Sequence, residues 1–221
     1  MFFLKSARIL CFAFLGLLIL YFRAGAQSNY YVESEHKFYG GLIGGVNLAQ
    51  VDGDYIAGYD KVGLNVGGIV YIQFKTHLAA SMEILYSQKG SKSKDPVQLP
   101  SGTSLVKYGM NLNYAEVPVM LNYFDKRKTN FGAGFSFSEL AASSEYITTY
   151  PAQTFDPEKY PFKKTDINFI TGCNLHLWKG LFFNIRFQYS LFSIRDHIPQ
   201  TTDNTAQFNN LWVIRMMYLF I

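Results

Sequence analysis

Glu83, Glu116, Arg186 and Arg215 are the residues whose types and positions invite chemistry first. Each lies in a stretch that alternates apolar and polar residues, and each falls on the polar side, with His176 on the same side of its own stretch. Two acids and two arginines directed into one enclosed space must pair, because an unpaired buried charge costs several kcal/mol. The expected chemistry is a structural plug of salt bridges, and the alternative is a gate whose pairs rearrange to pass a small solute. Other constellations are weaker. Ser193, Asp196 and His197 are the residue types of a hydrolase, but adjacent Asp196 and His197 point to opposite faces of an extended chain, so no catalytic residue is assigned. Asp52-Gly53-Asp54 lacks the further oxygen ligands of a calcium loop and reads as a turn. His36, His77, His176 and His197 are dispersed, so neither a metal site nor a cofactor is expected. Cys173 shares the apolar parity and reads as a small hydrophobe.

The elements that must position the four charges are β-strands. In Leu181–Leu191, Phe183, Ile185, Phe187, Tyr189 and Leu191 alternate with Asn184, Arg186, Gln188 and Ser190. The apolar face is aromatic along a run long enough to cross a bilayer when tilted, which suits lipid better than a packed core. Similar patterns span about 38–50, 61–74, 78–88, 107–124, 129–141, 165–178 and 208–221, giving eight strands in all. Pro118 cannot donate to a ladder, so a bulge or local break is expected there. The connections alternate long and short: polar, turn-rich stretches at 51–60, 89–106, 142–164 and 195–207, against brief turns at 75–77, 125–128 and 179–180. Short periplasmic turns and longer external loops are the habit of outer-membrane barrels, and put both ends of the barrel on the periplasmic side. The longest connection, 142–164, is the place to look for recognition. Its prolines restrict it, and Tyr146, Tyr150, Phe155, Tyr160 and Phe162 could stack on a sugar, pack on a partner or fold over the barrel mouth.

The first residues carry Lys5 and Arg8, an uncharged apolar run from Ile9 to Phe22, and Ala24-Gly25-Ala26. This is the pattern of a secretory signal peptide cleaved after Ala26, with 27–37 as a periplasmic lead-in and 38–221 as the barrel. Cleavage removes three basic residues and no acid from a chain with 20 Lys plus Arg against 16 Asp plus Glu, so the basic excess nearly vanishes and nucleic-acid binding loses its support. Cys173 is then the one remaining cysteine, and an intramolecular disulfide is impossible. Charged residues make up 16% of the chain, below the roughly 25% of soluble domains, and no apolar run of about 20 residues follows Ala26. The fold class expected is all-β, an eight-stranded antiparallel transmembrane up-and-down barrel after a cleaved signal peptide.

Tyr114-Ala115-Glu116-Val117-Pro118-Val119-Met120-Leu121-Asn122-Tyr123 resembles the Tyr-x-Glu-(Ile/Val)-Pro strand of the PorT-like outer-membrane β-barrel family of Bacteroidetes. Gly40-Gly41-Leu42-Ile43-Gly44-Gly45-Val46-Asn47 looks like that family's first strand, and Glu83-Ile84-Leu85-Tyr86-Ser87-Gln88-Lys89-Gly90 like its third. The resemblance implies a barrel in the outer membrane with a structural or interaction role. Its secretion-associated form follows from the namesake, which is similar to a component needed by the type IX secretion system. Outer-membrane lipid is the implied surrounding, with other outer-membrane or secretion-system proteins as partners. A narrow transport channel, or a barrel binding surface ligands through its long loops, is the competing reading.

Overall fold

In the computed structural model, residues 37–54, 56–98, 102, 104–126, 128–152, 160–196 and 206–220 are described. The expected signal peptide, the lead-in as far as residue 36, Phe155 and His197 lie outside these residues. The strands are β1 (Lys37–Asp52), β2 (Lys61–Lys75), β3 (Leu78–Lys92), β4 (Val97–Gln98), β5 (Ser104–Phe124), β6 (Asn130–Tyr150), β7 (Thr165–Trp178), β8 (Leu181–Ser190) and β9 (Phe208–Leu219). Neighbours in sequence pair antiparallel except β3 and β4, β1 pairs with β9, and β3 pairs with β5. The β3–β5 ladder closes eight strands into a barrel, and two-residue β4 lies outside the ring against the start of β5. Closure follows from the solvent: an open edge in hydrocarbon would leave a row of backbone groups without partners.

The alternation read from the sequence sets the two faces. Leu42, Leu64, Ile84, Val119, Leu121, Phe131, Phe135 and Phe137 are exposed on the outside, while Asn47, Asn65, Glu83, Glu116, Asn184, Arg186 and Arg215 are buried inside. Apolar layers fill both ends of the interior. Ile43, Ile69, Tyr71, Ala79, Leu85, Phe182, Met217 and Leu219 cluster toward the short turns, and Val51, Ile56, Leu105, Tyr108, Met110, Leu112, Tyr114 and Ile194 toward the long connections.

Two stretches differ from the sequence reading, and at Pro118 one of its two expected outcomes is found. The expected 89–106 loop is shorter, because β3 runs on to Lys92, β5 starts at Ser104, and β4 occupies part of what lies between. The expected 142–164 loop begins at residue 151, since β6 continues to Tyr150 and pairs with β5 as far as Ser104. Ala141 has no partner on β5: Tyr114 faces Leu140 and Asn113 faces Ala142. This bulge inserts one residue and reverses which parity of β6 points outward, which hides the continuation from a period-two search. At Pro118 there is a local break and no bulge. The β3–β5 ladder is interrupted between Met82–Val119 and Leu85–Glu116 but resumes in the same register.

Gly45 shows how tightly the wall is built around its charges. It sits opposite Arg215 in the β1–β9 ladder, and a Cβ there would land on the Arg215 Cβ and the Ile214 carbonyl oxygen. At neighbouring Gly44 a Cβ would meet nothing within 4 Å. Gly45→Ala is therefore expected to destabilise the barrel by about 1–3 kcal/mol and Gly44→Ala to leave it nearly unchanged. Heat-modifiable mobility on a gel checks this, and equal melting of the two variants would refute it.

Candidate functional site

The interior charges form two layers. In the first, Glu83 on β3 binds two arginines at once. Arg186 on β8 donates from Nη2 to Oε1 at 2.7 Å and from Nη1 to Oε2 at 3.3 Å. Arg215 on β9 donates from Nη1 to Oε2 at 2.9 Å and from Nη2 to Oε1 at 3.0 Å. Each guanidinium fork meets the carboxylate in bidentate fashion, the geometry in which Arg is strongest. The second positive charge is spread by amides: Arg215 Nε donates to Asn184 Oδ1 at 2.6 Å and Nη1 to Asn65 Oδ1 at 3.2 Å. Asn184, Asn174 and Asn130 then continue as a chain of amide hydrogen bonds along the wall.

The second layer centres on Lys89, which the sequence reading placed in a loop. Its side chain is fully buried, with Nζ 3.3 Å from Asp166 Oδ2 and 3.6 Å from Glu116 Oε2. It also donates to Asn168 Oδ1 and lies 4.9 Å from the centre of the Tyr114 ring. Glu116 therefore pairs with Lys89 and accepts from Gln188 Nε2 at 2.5 Å; it does not join the arginines as expected. The separation follows from the register, because Glu116 pairs with Leu85, on the long-connection side of Glu83. Asp166 also accepts from Asn209 Nδ2 at 2.9 Å. Across the two layers three acids face three bases, so the filled lumen is balanced in charge. His176 stays apart near the short-turn end, with Nε2 against the Lys179 carbonyl.

A further ion pair seals the other mouth. Arg195, in the last long connection, meets Glu145 on β6 at 2.7 and 2.9 Å, and both side chains are buried. Tyr108 OH donates to Glu145, Gln207 Oε1 accepts from Arg195 Nε, and the guanidinium lies 4.0 Å over the Phe162 ring. Nothing in the spacing of Glu145 and Arg195 announces this pair; only the fold of the connections joins them.

The proposed recognition aromatics are divided by this arrangement. Phe162 packs under Arg195, and the Tyr160 carbonyl accepts from the same guanidinium, so both belong to the seal. Tyr146 and Tyr150 are on β6, exposed on the outer face of its extension. The Tyr146 ring covers Gly109 of β5, where a side chain would collide with it. Ser193 and Asp196 meet through Lys163, whose Nζ is 2.6 Å from Ser193 Oγ and 3.0 Å from Asp196 Oδ1. Among the described residues, no group of three His, Cys, Asp or Glu side chains is placed to hold a metal.

Two outcomes follow. Glu83→Gln leaves two buried guanidinium groups without a carboxylate and is expected to cost about 3–5 kcal/mol. Arg186→Gln leaves the Glu83–Arg215 pair in place and should cost less, as measured by heat-modifiable mobility. In the 53–60 connection, the Asp54 carboxyl accepts the Ile56 amide at 2.9 Å and is pushed up to about 6 by burial. Its folded form holds a proton over a pH range where the unfolded chain has released it, so this contribution to stability falls as pH rises from about 4 to about 6. Asp54→Asn should flatten that part of a stability–pH profile, and an unchanged slope would refute the assignment.

Comparison with known proteins places the chain. The profile of the family described as outer membrane protein beta-barrel domain matches residues 25–196. No curated protein matches the sequence. Among solved structures, the barrel is similar to Ail, the attachment invasion locus protein of Yersinia pestis, at 11% identity and a TM-score of 0.43, covering 83% of this chain and 99% of that one. Neisserial surface protein A is similar at 10% identity and a TM-score of 0.42, covering 82% and 96%. OprG of Pseudomonas aeruginosa is similar at 10% identity and a TM-score of 0.36, covering 83% and 94%. With the family profile spanning most of its length and the described strands closing as that fold requires, the chain belongs to the outer membrane protein β-barrel domain family and is an outer-membrane protein.

Proposed function

We propose that this protein is a sealed barrel that acts by interaction at its long-connection end, with no catalytic or conducting role of its own. The observation that carries this reading is the filled interior. Glu83 with its two arginines, and Lys89 with Glu116 and Asp166, occupy the lumen between two apolar layers, and Arg195–Glu145 closes the mouth beyond them. An eight-stranded barrel has room for little more than its own side chains. Passage of a solute would require six compensated charges to separate in a medium that screens them poorly.

The finer reading is a PorT-like barrel of the Bacteroidetes kind with a secretion-associated role, its termini on the periplasmic side. It is supported by the motif around Glu116 and Pro118 and by the shared end at which β1 begins, β9 ends and all three short turns lie. Outer-membrane lipid is its surrounding, and secretion-system proteins of the same membrane are the partners this reading names.

Planar-bilayer recordings of the purified protein are expected to show no steady conductance; a reproducible ohmic current would overturn the sealed-barrel reading in favour of transport. Cross-linking in the native membrane followed by co-purification tests the secretion role, which fails if no secretion-system component is recovered. Ester and lipid hydrolysis should be absent, and an activity lost in Ser193→Ala would refute the non-catalytic assignment.

A further inference from the structure

Beyond its last pair with β7, β6 continues along β5, which carries β3 on its other side as far as Lys92–Gly109 and then β4, so β6 is the edge of this upper ribbon. The last β6–β7 pair is Glu139 with Thr165, and one more backbone bond joins the Leu140 amide to the Lys164 carbonyl. There the neighbouring chain departs. Lys163 donates instead to the Ile194 carbonyl, Pro161 has no amide proton to offer, and Phe162 turns under Arg195. From Ala142 to Thr148, β6 pairs with β5 on one side only; on the other side no described strand meets it. A strand turns the N–H and C=O of every second residue toward each edge, so this stretch presents a row of main-chain donors and acceptors.

A groove of about 630 Å³ runs along this edge. One wall is Leu140 to Glu145 of β6, and the other is Pro161, Phe162 and Lys164. The residues at the edge are small, Ala142-Ser143-Ser144, which lets another backbone come close. Native edges are commonly guarded by Lys, Pro or a bulge, and 142–148 carries neither Lys nor Pro. Its one charge, Glu145, is committed to Arg195.

We propose that the β6 edge from Ala142 to Thr148 is a docking site for an extended, acidic segment of a partner polypeptide, which adds a strand to the ribbon and lies in the groove beside Phe162. This deepens, and rests on, the reading of the protein as an interaction barrel. The main-chain edge selects an extended backbone. Charge selects its sign: Asp196 engages Lys163, and Glu139, hydrogen-bonded only to the Thr165 hydroxyl among the described residues, offsets one further lysine, so exposed Lys164 and Lys107 leave a net surplus of one positive charge. Lys107 is paired with Thr148 in the β5–β6 ladder, at the far end of the site. A second copy of this chain fits poorly. Two copies inserted in the same sense bring their β6 edges together only in parallel, with their tilts crossing, whereas a free segment can take the antiparallel register.

The test uses the full chain in lipid nanodiscs and a fluorescent ten-residue peptide of alternating Thr and Glu. Its counterpart has Lys for Glu, and two further forms are N-methylated at every Thr or at every Glu amide. Saturable binding of the acidic peptide is expected, with the Lys peptide at least about ten-fold weaker. One methylated form should lose at least about ten-fold while the other stays close to the parent, because only one parity of amides faces β6. Lys164→Glu with Lys107→Glu should reverse the preference between the Glu and Lys peptides. Equal effects of the two methylations, equal binding of both charges, or no saturable binding would each overturn the proposal; the last would mean that residues 151–160 or another copy cover the edge. A conducting barrel would defeat the sealed-lumen reading and leave the methylation pattern as it stands, so the two failures are distinguishable.

Discussion

Glu83 holds two guanidinium groups inside a ring of strands, and the rest of the barrel is arranged so that it can. A carboxylate with one partner would be an ordinary buried ion pair; with two it carries a surplus positive charge that its neighbours must absorb. Asn184 and Asn65 do this by turning carbonyl oxygens toward Arg215, and Asn174 and Asn130 extend the chain. The surplus is answered one layer away, where Lys89 stands between two acids and leaves the opposite imbalance. The two layers are complementary, and the lumen is neutral only when both are complete. Gly45 belongs to the same constraint, since the Arg215 backbone approaches it too closely for a side chain.

The sequence shows the barrel wall better than its contents. Where one face meets lipid, the alternation is strong, and Phe183, Ile185 and Phe187 against Asn184 and Arg186 identify a strand and its inward side from spacing alone. Glu83, Glu116, Arg186 and Arg215 are inward for that reason, and all four are buried. Their partners are a different matter, because partner choice depends on register between strands far apart in the chain. Lys89 is hidden for a related reason. From Ser87 to Lys92 both faces are polar or glycine, so the period-two signal stops although the strand does not; pairing with β5 holds it there. Residues 142–150 are hidden by the Ala141 bulge, which reverses the parity just where β6 parts from β7.

The upper ribbon and the seal below it are built from the same strands with opposite results. Glu145 and Ile147 turn inward, to Arg195 and to the apolar layer, and fix the ribbon to the mouth. Tyr146 lies across Gly109 on the outer face. The inner face of the ribbon is thus occupied by the protein itself, while its outer face, Tyr146 included, is exposed and its edge has no strand beside it among the described residues. A recognition surface made of backbone constrains a partner's conformation more than its sequence.

The central triad joins β3 to β8 and β9, with Arg186 and Arg215 separated from Glu83 by 103 and 132 residues. Until the last strands arrive, the carboxylate and both arginines have no counterion within the wall, and their hydration favours keeping the nascent sheet in contact with water. Completion of the ring and burial of its charges are therefore one event. A sheet lacking either of its ends would hold these charges without their partners, so the neutrality of the interior is a property of the closed ring and of no smaller part of it.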